Sequence, residues 1–224
     1  MGRVSAGKAL LSEAGDDKAP GPTGSARLGA LRRRPWAVTA VWGAGVIAAF
    51  AANLQLARTR AVNSDGASNA LQARDMLHGN LLLHGWTLTD VSFYTTELPE
   101  YMAAELIRGL GPAVVHTAAA FTYTLLVLLA GLVAKGRATG REGVARALIG
   151  SGIMLAPQLG NPVFVLLGVS DHVGTGVPML LIFLVLDRAP RRWYVPPVIA
   201  LMLAWATIAD RLVIAAEQVP QRAA

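Results

Sequence analysis

The stretch WAVTAVWGAGVIAAFAANLQL, Trp36 to Leu56, runs for 21 residues without a formal charge, and Arg32-Arg33-Arg34 stands before it with only Pro35 between. About 20 apolar residues is the length a helix needs to cross a ~30 Å hydrocarbon layer, where no water can satisfy a broken backbone. The run is longer than a signal-peptide core and has no clear small-x-small cleavage site, so it reads as a retained first span. Composition agrees, with 54% hydrophobic and 15% charged residues and a mean hydropathy of +0.46. Ordinary soluble domains carry roughly 25% charged residues to solvate their surface, so that class is excluded. With no Cys in the chain, disulfides, thiolate metal sites and cysteine nucleophiles are excluded too. The net charge of +6 would suit nucleic acid. The basic residues fall where membrane topology wants them, however, and nucleic-acid binding is set aside.

Upstream, residues 1–35 carry seven basic and three acidic side chains among Gly, Pro, Ser and Ala, without apolar periodicity. They read as a disordered basic cytoplasmic arm. Downstream, Ala113 to Ala134 is a second apolar run, followed by a short basic loop with Lys135, Arg137, Arg141 and Arg146 against Glu142. The apolar stretch from Ala147 to Leu186 is broken at Pro157, Asn161-Pro162 and Ser170-Asp171-His172, and it ends at Arg188, Arg191 and Arg192. Two basic loops on one side require an even number of crossings between them. The expected spans are therefore 36–56, 113–134, 147–165, 171–187 and 195–209, in a membrane domain of 36–216 with a polar tail at 217–224. The fold class is all-α, a polytopic helix bundle of about five spans in the plasma membrane, with the N-terminus cytoplasmic.

In this topology residues 57–111 are external, and their four basic and six acidic residues give −2 while the cytoplasmic segments are each positive. A connection of that length is ordinarily functional or disordered, and its pattern argues for order. Gly66 to His78 predicts a helix on the membrane surface, with Ala70, Ala73 and Leu77 on one face, Asn69, Gln72 and Asp75 on another, and Gly79-Asn80 as its stop. Pro99 to Arg108 predicts a second, with Glu100 in its first turn, Met102 and Leu106 aligned, and Gly109 ending it. Leu81, Leu82, Leu83, Trp86, Phe93 and Tyr94 suit the headgroup level between them.

This opening resembles that of the GT-C integral membrane glycosyltransferases, in the protein-mannosyltransferase and aminoarabinose-transferase-like subgroup. The carrying residues are Asp65-Gly66, Ala70 to Asn80 (ALQARDMLHGN), and Phe93 to Tyr101 (FYTTELPEY), and the likeness covers roughly 36–134. Family members usually carry an Asp-Glu or Glu-containing pair where this chain has Asp65-Gly66, and have about seven or more spans. The resemblance implies transfer of a sugar from a polyprenyl-phosphate donor to an external acceptor, with Asp65 as the catalytic base. It also implies contact with membrane lipid. The acceptor or phosphate would be bound by Arg74, Glu97, Arg108, His116, Asp171, His172 and Arg211, since a departing lipid phosphate needs cations where negative charge builds. From the residues alone, Asn63-Ser64-Asp65-Gly66 is equally good turn or capping chemistry, and Ser170 or Asp171 equally good as the N-cap of span four.

The four histidines, His78, His84, His116 and His172, all fall on the external side. With the nearby carboxylates they could build a divalent-metal site. No HxxxH or HxH pair occurs, which favours solvated or interfacial histidines. No GxGxxG, Walker loop, HExxH or GxSxG motif supports a dehydrogenase, kinase or hydrolase. The alternative expectation is a non-catalytic membrane subunit, or a truncated and inactive relative, whose external loop binds a partner or lipid. A small-solute transporter is disfavoured, because no two halves repeat a broken helix and no ionisable residue falls mid-span.

Overall fold

The computed structural model describes residues 35–87, 91–156, 173–189 and 192–209. Among them are seven helices and no strand: α1 (Pro35–Arg58), α2 (Ser64–Leu77), α3 (Glu97–Arg108), α4 (Pro112–Lys135), α5 (Gly140–Leu155), α6 (Gly176–Arg188) and α7 (Val195–Ala209). Two of these, α1 and α4, are long and apolar enough to cross a membrane. At 24 residues each they extend about 36 Å at 1.5 Å per residue. The chain divides into two compact units, Met1–Ala44 and Gly45–Ala224. In the first, the start of α1 exposes Trp36, Val38, Val41 and Trp42. A helix that shows large apolar groups all round is suited to lipid and not to water.

The second unit is organised around α4, which packs against α2, α3, α5 and α6. Pro112 at its first turn needs no N–H partner. From there the turn Gly109-Leu110-Gly111 folds α3 back along it. Gly109 takes φ +70°, a left-handed conformation that favours glycine. Tyr101 and Ala104 of α3, Ala70 and Ala73 of α2, and Val114, Val115 and Ala118 of α4 form one buried cluster. Asn53 of α1 donates to the Thr124 hydroxyl at 2.9 Å, both buried.

The inward faces of α2 and α3 differ from the sequence expectation. In α2, Asn69 and Gln72 are buried beside Ala70, Ala73 and Met76, while Leu71 is 47% exposed. Packing on two neighbouring helices gives α2 a buried arc wider than one apolar stripe, and Ala70 and Ala73 leave room for close approach. In α3 the inward residues are Leu98, Tyr101, Ala104 and Glu105, while Leu106, aligned with Met102 in sequence, is exposed with Ile107. Both helices begin two residues earlier than expected. Asn63 caps α2 by accepting from the Gly66 N–H at 2.9 Å.

The expected spans shift as well. Residues 36–56 and 113–134 lengthen slightly into α1 and α4. Helix α5 starts at Gly140, so Arg141 and Arg146 lie on its first turns, with Arg146 paired to Glu142 at 2.5 Å, and the basic loop shrinks to Gly136–Thr139. The rest of the 147–165 stretch, beyond Ala156, is outside the described residues. Helix α6 begins at Gly176 after a turn at 173–175, later than the expected 171, and α7 coincides with 195–209.

Glycine sets the α4–α5 crossing. A Cβ on Gly150 would meet Ala134 Cβ at 2.5 Å, and one on Gly131 would meet Ser151 Oγ at 2.4 Å. Gly43, Gly45 and Gly152 have nothing within 4 Å of that position. Side-chain bonds tie the helix ends. Arg137 Nε donates to the Asp187 carbonyl at 2.7 Å and Arg188 to the Leu132 carbonyl at 3.0 Å, joining the C-terminal ends of α4 and α6. At the C-terminal end of α7, the Ser92 and Phe93 N–H groups donate to the Ala209 carbonyl, Thr95 Oγ1 to the Trp205 carbonyl at 2.9 Å, and the Trp205 indole back to the Thr95 carbonyl at 2.6 Å. Segment 92–95 is thus bonded to the C-terminal turns of α7.

Candidate functional site

At the C-terminal end of α2, Leu71, Arg74, Asp75, His78 and Trp86 line an open cleft of about 470 Å³. The helix brings the first four together because positions three and four apart share a face. Trp86 arrives through two successive turns, in which the Leu83 N–H donates to the Asn80 carbonyl and the Trp86 N–H to the Leu83 carbonyl. Leu83 adopts φ +52°, a conformation that costs a non-glycine residue of order 1–3 kcal/mol. Its side chain is buried with Met76 and Leu98, which holds the turn in place. Asn80 braces the turn from inside, donating to the His84 carbonyl at 3.0 Å and accepting from the His84 N–H at 2.8 Å.

Asp75 is the centre of the cleft. Its Oδ2 accepts from Trp86 Nε1 at 2.9 Å and from Asn80 Nδ2 at 2.5 Å. These two bonds, the indole first, hold its carboxyl below the usual carboxylate range, and the nearby His78 lowers it further. His78 Nδ1 lies 2.7 Å from the Arg74 carbonyl. A carbonyl only accepts, so Nδ1 carries the proton and Nε2 is the nitrogen left to bond elsewhere. Arg74 is held by Glu105 of α3 at 3.7 Å, with its own side chain about half exposed. A cation, a fixed carboxylate, an imidazole and an indole therefore converge on one opening, with Leu71 as an apolar wall. That combination suits a polar head with hydroxyls and a phosphate.

A second polar centre is internal. Glu97 is fully buried, accepts from the Gly174 N–H at 3.1 Å and is hydrogen-bonded by the Thr96 hydroxyl. One turn on, Glu100 accepts from Thr122 of α4. Burial, opposed by the Thr122 bond and reinforced by the charge of Glu97, raises the Glu100 carboxyl to about 7. The two carboxyls link α3, α4 and the turn before α6.

The residues singled out from sequence are dispersed. Asp65 lies exposed in the first turn of α2, 3.4 Å from the Ser64 hydroxyl, at the opposite end of that helix from Asp75, about 15 Å along its axis. Arg74 joins the cleft. Glu97 belongs to the internal pair. Arg108 is exposed in the last turn of α3, a favourable place for a cation at a helix C-terminus. His116 is buried in α4 and so not solvated, and its Nδ1 lacks a hydrogen-bond partner. Asp171, His172 and Arg211 lie outside the described residues. Among the described residues no three His, Asp or Glu side chains are grouped to hold one metal ion.

Asp75 and Trp86 were missed as a pair because eleven residues and a non-helical turn separate them. The readable signal was Arg74, Asp75 and His78 at spacings of one, three and four just before a helix stop. No protein-family model, curated protein or solved structure matches the chain.

Proposed function

We propose that the chain is a membrane protein of about five spans whose external segment binds the head of a polyprenyl-phosphate-linked sugar, as part of a GT-C-like glycosyltransferase. The observation that carries this reading is the cleft of Arg74, Asp75, His78 and Trp86. Arg74 offers a cation to phosphate, Asp75 and His78 bond sugar hydroxyls, and Trp86 offers an aromatic face. The five-span arrangement is supported by the helix ends, since α4 and α6 finish together at the basic segments while α7 finishes against the external segment at 92–95. The N-terminus is then cytoplasmic and the cleft faces outward from the plasma membrane.

A specific observation favours binding over bond-breaking within the cleft itself. Asp75, with two donors on Oδ2 and its carboxyl held low, is a poor base and a good fixed acceptor through Oδ1. Asp65 has the exposure a base needs, yet a base must come within about 3.2 Å of the acceptor hydroxyl. It would serve only with an acceptor seated at the other end of α2 from Arg74. The second reading, a non-catalytic subunit that holds the lipid-linked sugar, follows from that separation.

The test is binding and transfer in nanodiscs with polyprenyl-phosphate mannose, glucose and arabinose. Asp75→Asn and Trp86→Ala should each weaken donor binding about tenfold, the usual effect of losing a hydrogen bond to a charged group. If none of the three donors binds the wild type, the reading fails. Transfer that persists unchanged in Asp65→Asn removes the base role, and binding without transfer selects the subunit reading.

A further inference from the structure

A groove of about 420 Å³ runs between the C-terminal half of α6 and the start of α7, lined by Leu181, Leu184, Val185, Tyr194, Val195 and Val198 and closed at one end by Arg188. Its wall is aliphatic except for Arg188 and Tyr194, which stand where α6 ends and just before α7 begins, so any occupant must be apolar along its length and polar at one tip. Arg188 is exposed there and carries five N–H donors, of which its bond to the Leu132 carbonyl uses one. Arg192, also exposed, lies four residues on, and the neighbouring carboxylate, Asp187, is paired with Arg137 at 3.7 Å. The charge left at the mouth is therefore positive.

Beside the mouth, Trp193 and Tyr194 meet edge to face with ring centroids 6.2 Å apart, and Trp193 is 87% exposed. A tryptophan so exposed in water forfeits most of its burial, whereas at the headgroup level it has an apolar and a wet side at once. Apolar groove, cationic mouth and interfacial aromatics together match one amphiphile.

We propose that this groove is a binding site for an anionic phospholipid, with an acyl chain along α6 and α7 and the phosphate on Arg188. The proposal rests on the membrane reading above and is independent of the sugar donor. A zwitterionic lipid fills the same groove but carries its own cation beside the phosphate, so it gains less from Arg188.

The full chain is reconstituted in phosphatidylcholine vesicles, with a minor fraction replaced by chain-brominated phosphatidylglycerol or, in parallel, chain-brominated phosphatidylcholine. Quenching of the Trp193 component is read as the difference between wild type and Trp193→Phe. Phosphatidylglycerol should be preferred about fivefold, as one arginine near an anionic surface provides. Arg188→Gln should bring the ratio to about one, and Val198→Phe, which fills the groove and keeps the charge, should reduce quenching by both lipids. Equal quenching in the wild type, a preference that survives Arg188→Gln, or quenching that Val198→Phe leaves undiminished overturns the site. A chain that does not float with the vesicles overturns the membrane reading itself, so the two failures are told apart.

Discussion

The carboxyl of Glu100 stands at about 7 because partial burial and then the charge of Glu97 raise it, against the Thr122 hydroxyl bond that lowers it. Since the folded value exceeds the unfolded one of 4.5, the folded state holds its proton more tightly. The associated stability is fully present below pH 4.5 and is lost as pH rises through about 7. Its size is at most about 3 kcal/mol. Thermal melts in detergent should therefore show the wild type falling between pH 5 and 8, and Glu100→Gln should flatten that slope and melt higher at pH 8. A slope unchanged in the variant would assign the pH dependence to another group. Asp75 behaves oppositely, its lowered carboxyl lending stability above the usual carboxylate range that disappears on acidification. Neither role was legible in sequence, where Glu100 read as a helix-dipole residue and Asp75 as one of several acidic groups. Sequence spacing puts Asp75 and His78 on one helix face, but Trp86 and Thr122 reach their carboxylates only through tertiary folding.

Helices were legible where length and apolarity coincide. The runs that became α1, α4 and α7 were visible almost to the residue, because a long apolar run has few alternatives. The surface pair α2 and α3 was legible as helices but not as faces, since Asn69 and Gln72 are buried against two neighbours where a single interface would have left them in water. Packing glycines were not legible as such: Gly150 and Gly131 set the α4–α5 crossing, while Gly43, Gly45 and Gly152 meet nothing at the Cβ position. Because Gly150 would place a Cβ 2.5 Å from Ala134 Cβ, Gly150→Leu must push α5 away from α4. Overpacking of that kind costs about 1–3 kcal/mol or more. The variant should melt lower and also weaken the bond of the Tyr123 hydroxyl to the Met154 carbonyl across the same interface. Gly152→Leu, with open space at its Cβ position, is the matched control and should leave the melting temperature nearly unchanged.

At the scale of the whole molecule, the polar ties sort into two ends of the second unit. One end gathers Arg137, Asp187 and Arg188 with the last carbonyls of α4 and α6. The other joins the segment 92–95 to the last carbonyls of α7. Charge follows the same division, since the loop after α4 is basic while 57–111 sums to −2. The proposed orientation, with Lys and Arg retained on the cytoplasmic side, follows that division. The chain has no cysteine, so single cysteines report their side of the membrane without background. In the proposed topology Leu82→Cys, at a position 71% exposed, should react with a membrane-impermeant maleimide on intact cells. Thr139→Cys, in the basic loop between α4 and α5, should react only after permeabilisation. Reversed accessibility would invert the topology and put the Arg74–Trp86 cleft on the cytoplasmic side, away from any acceptor outside the cell. Labelling of both residues on intact cells would mean that α4 does not cross the membrane, because the two positions lie on either side of that one helix.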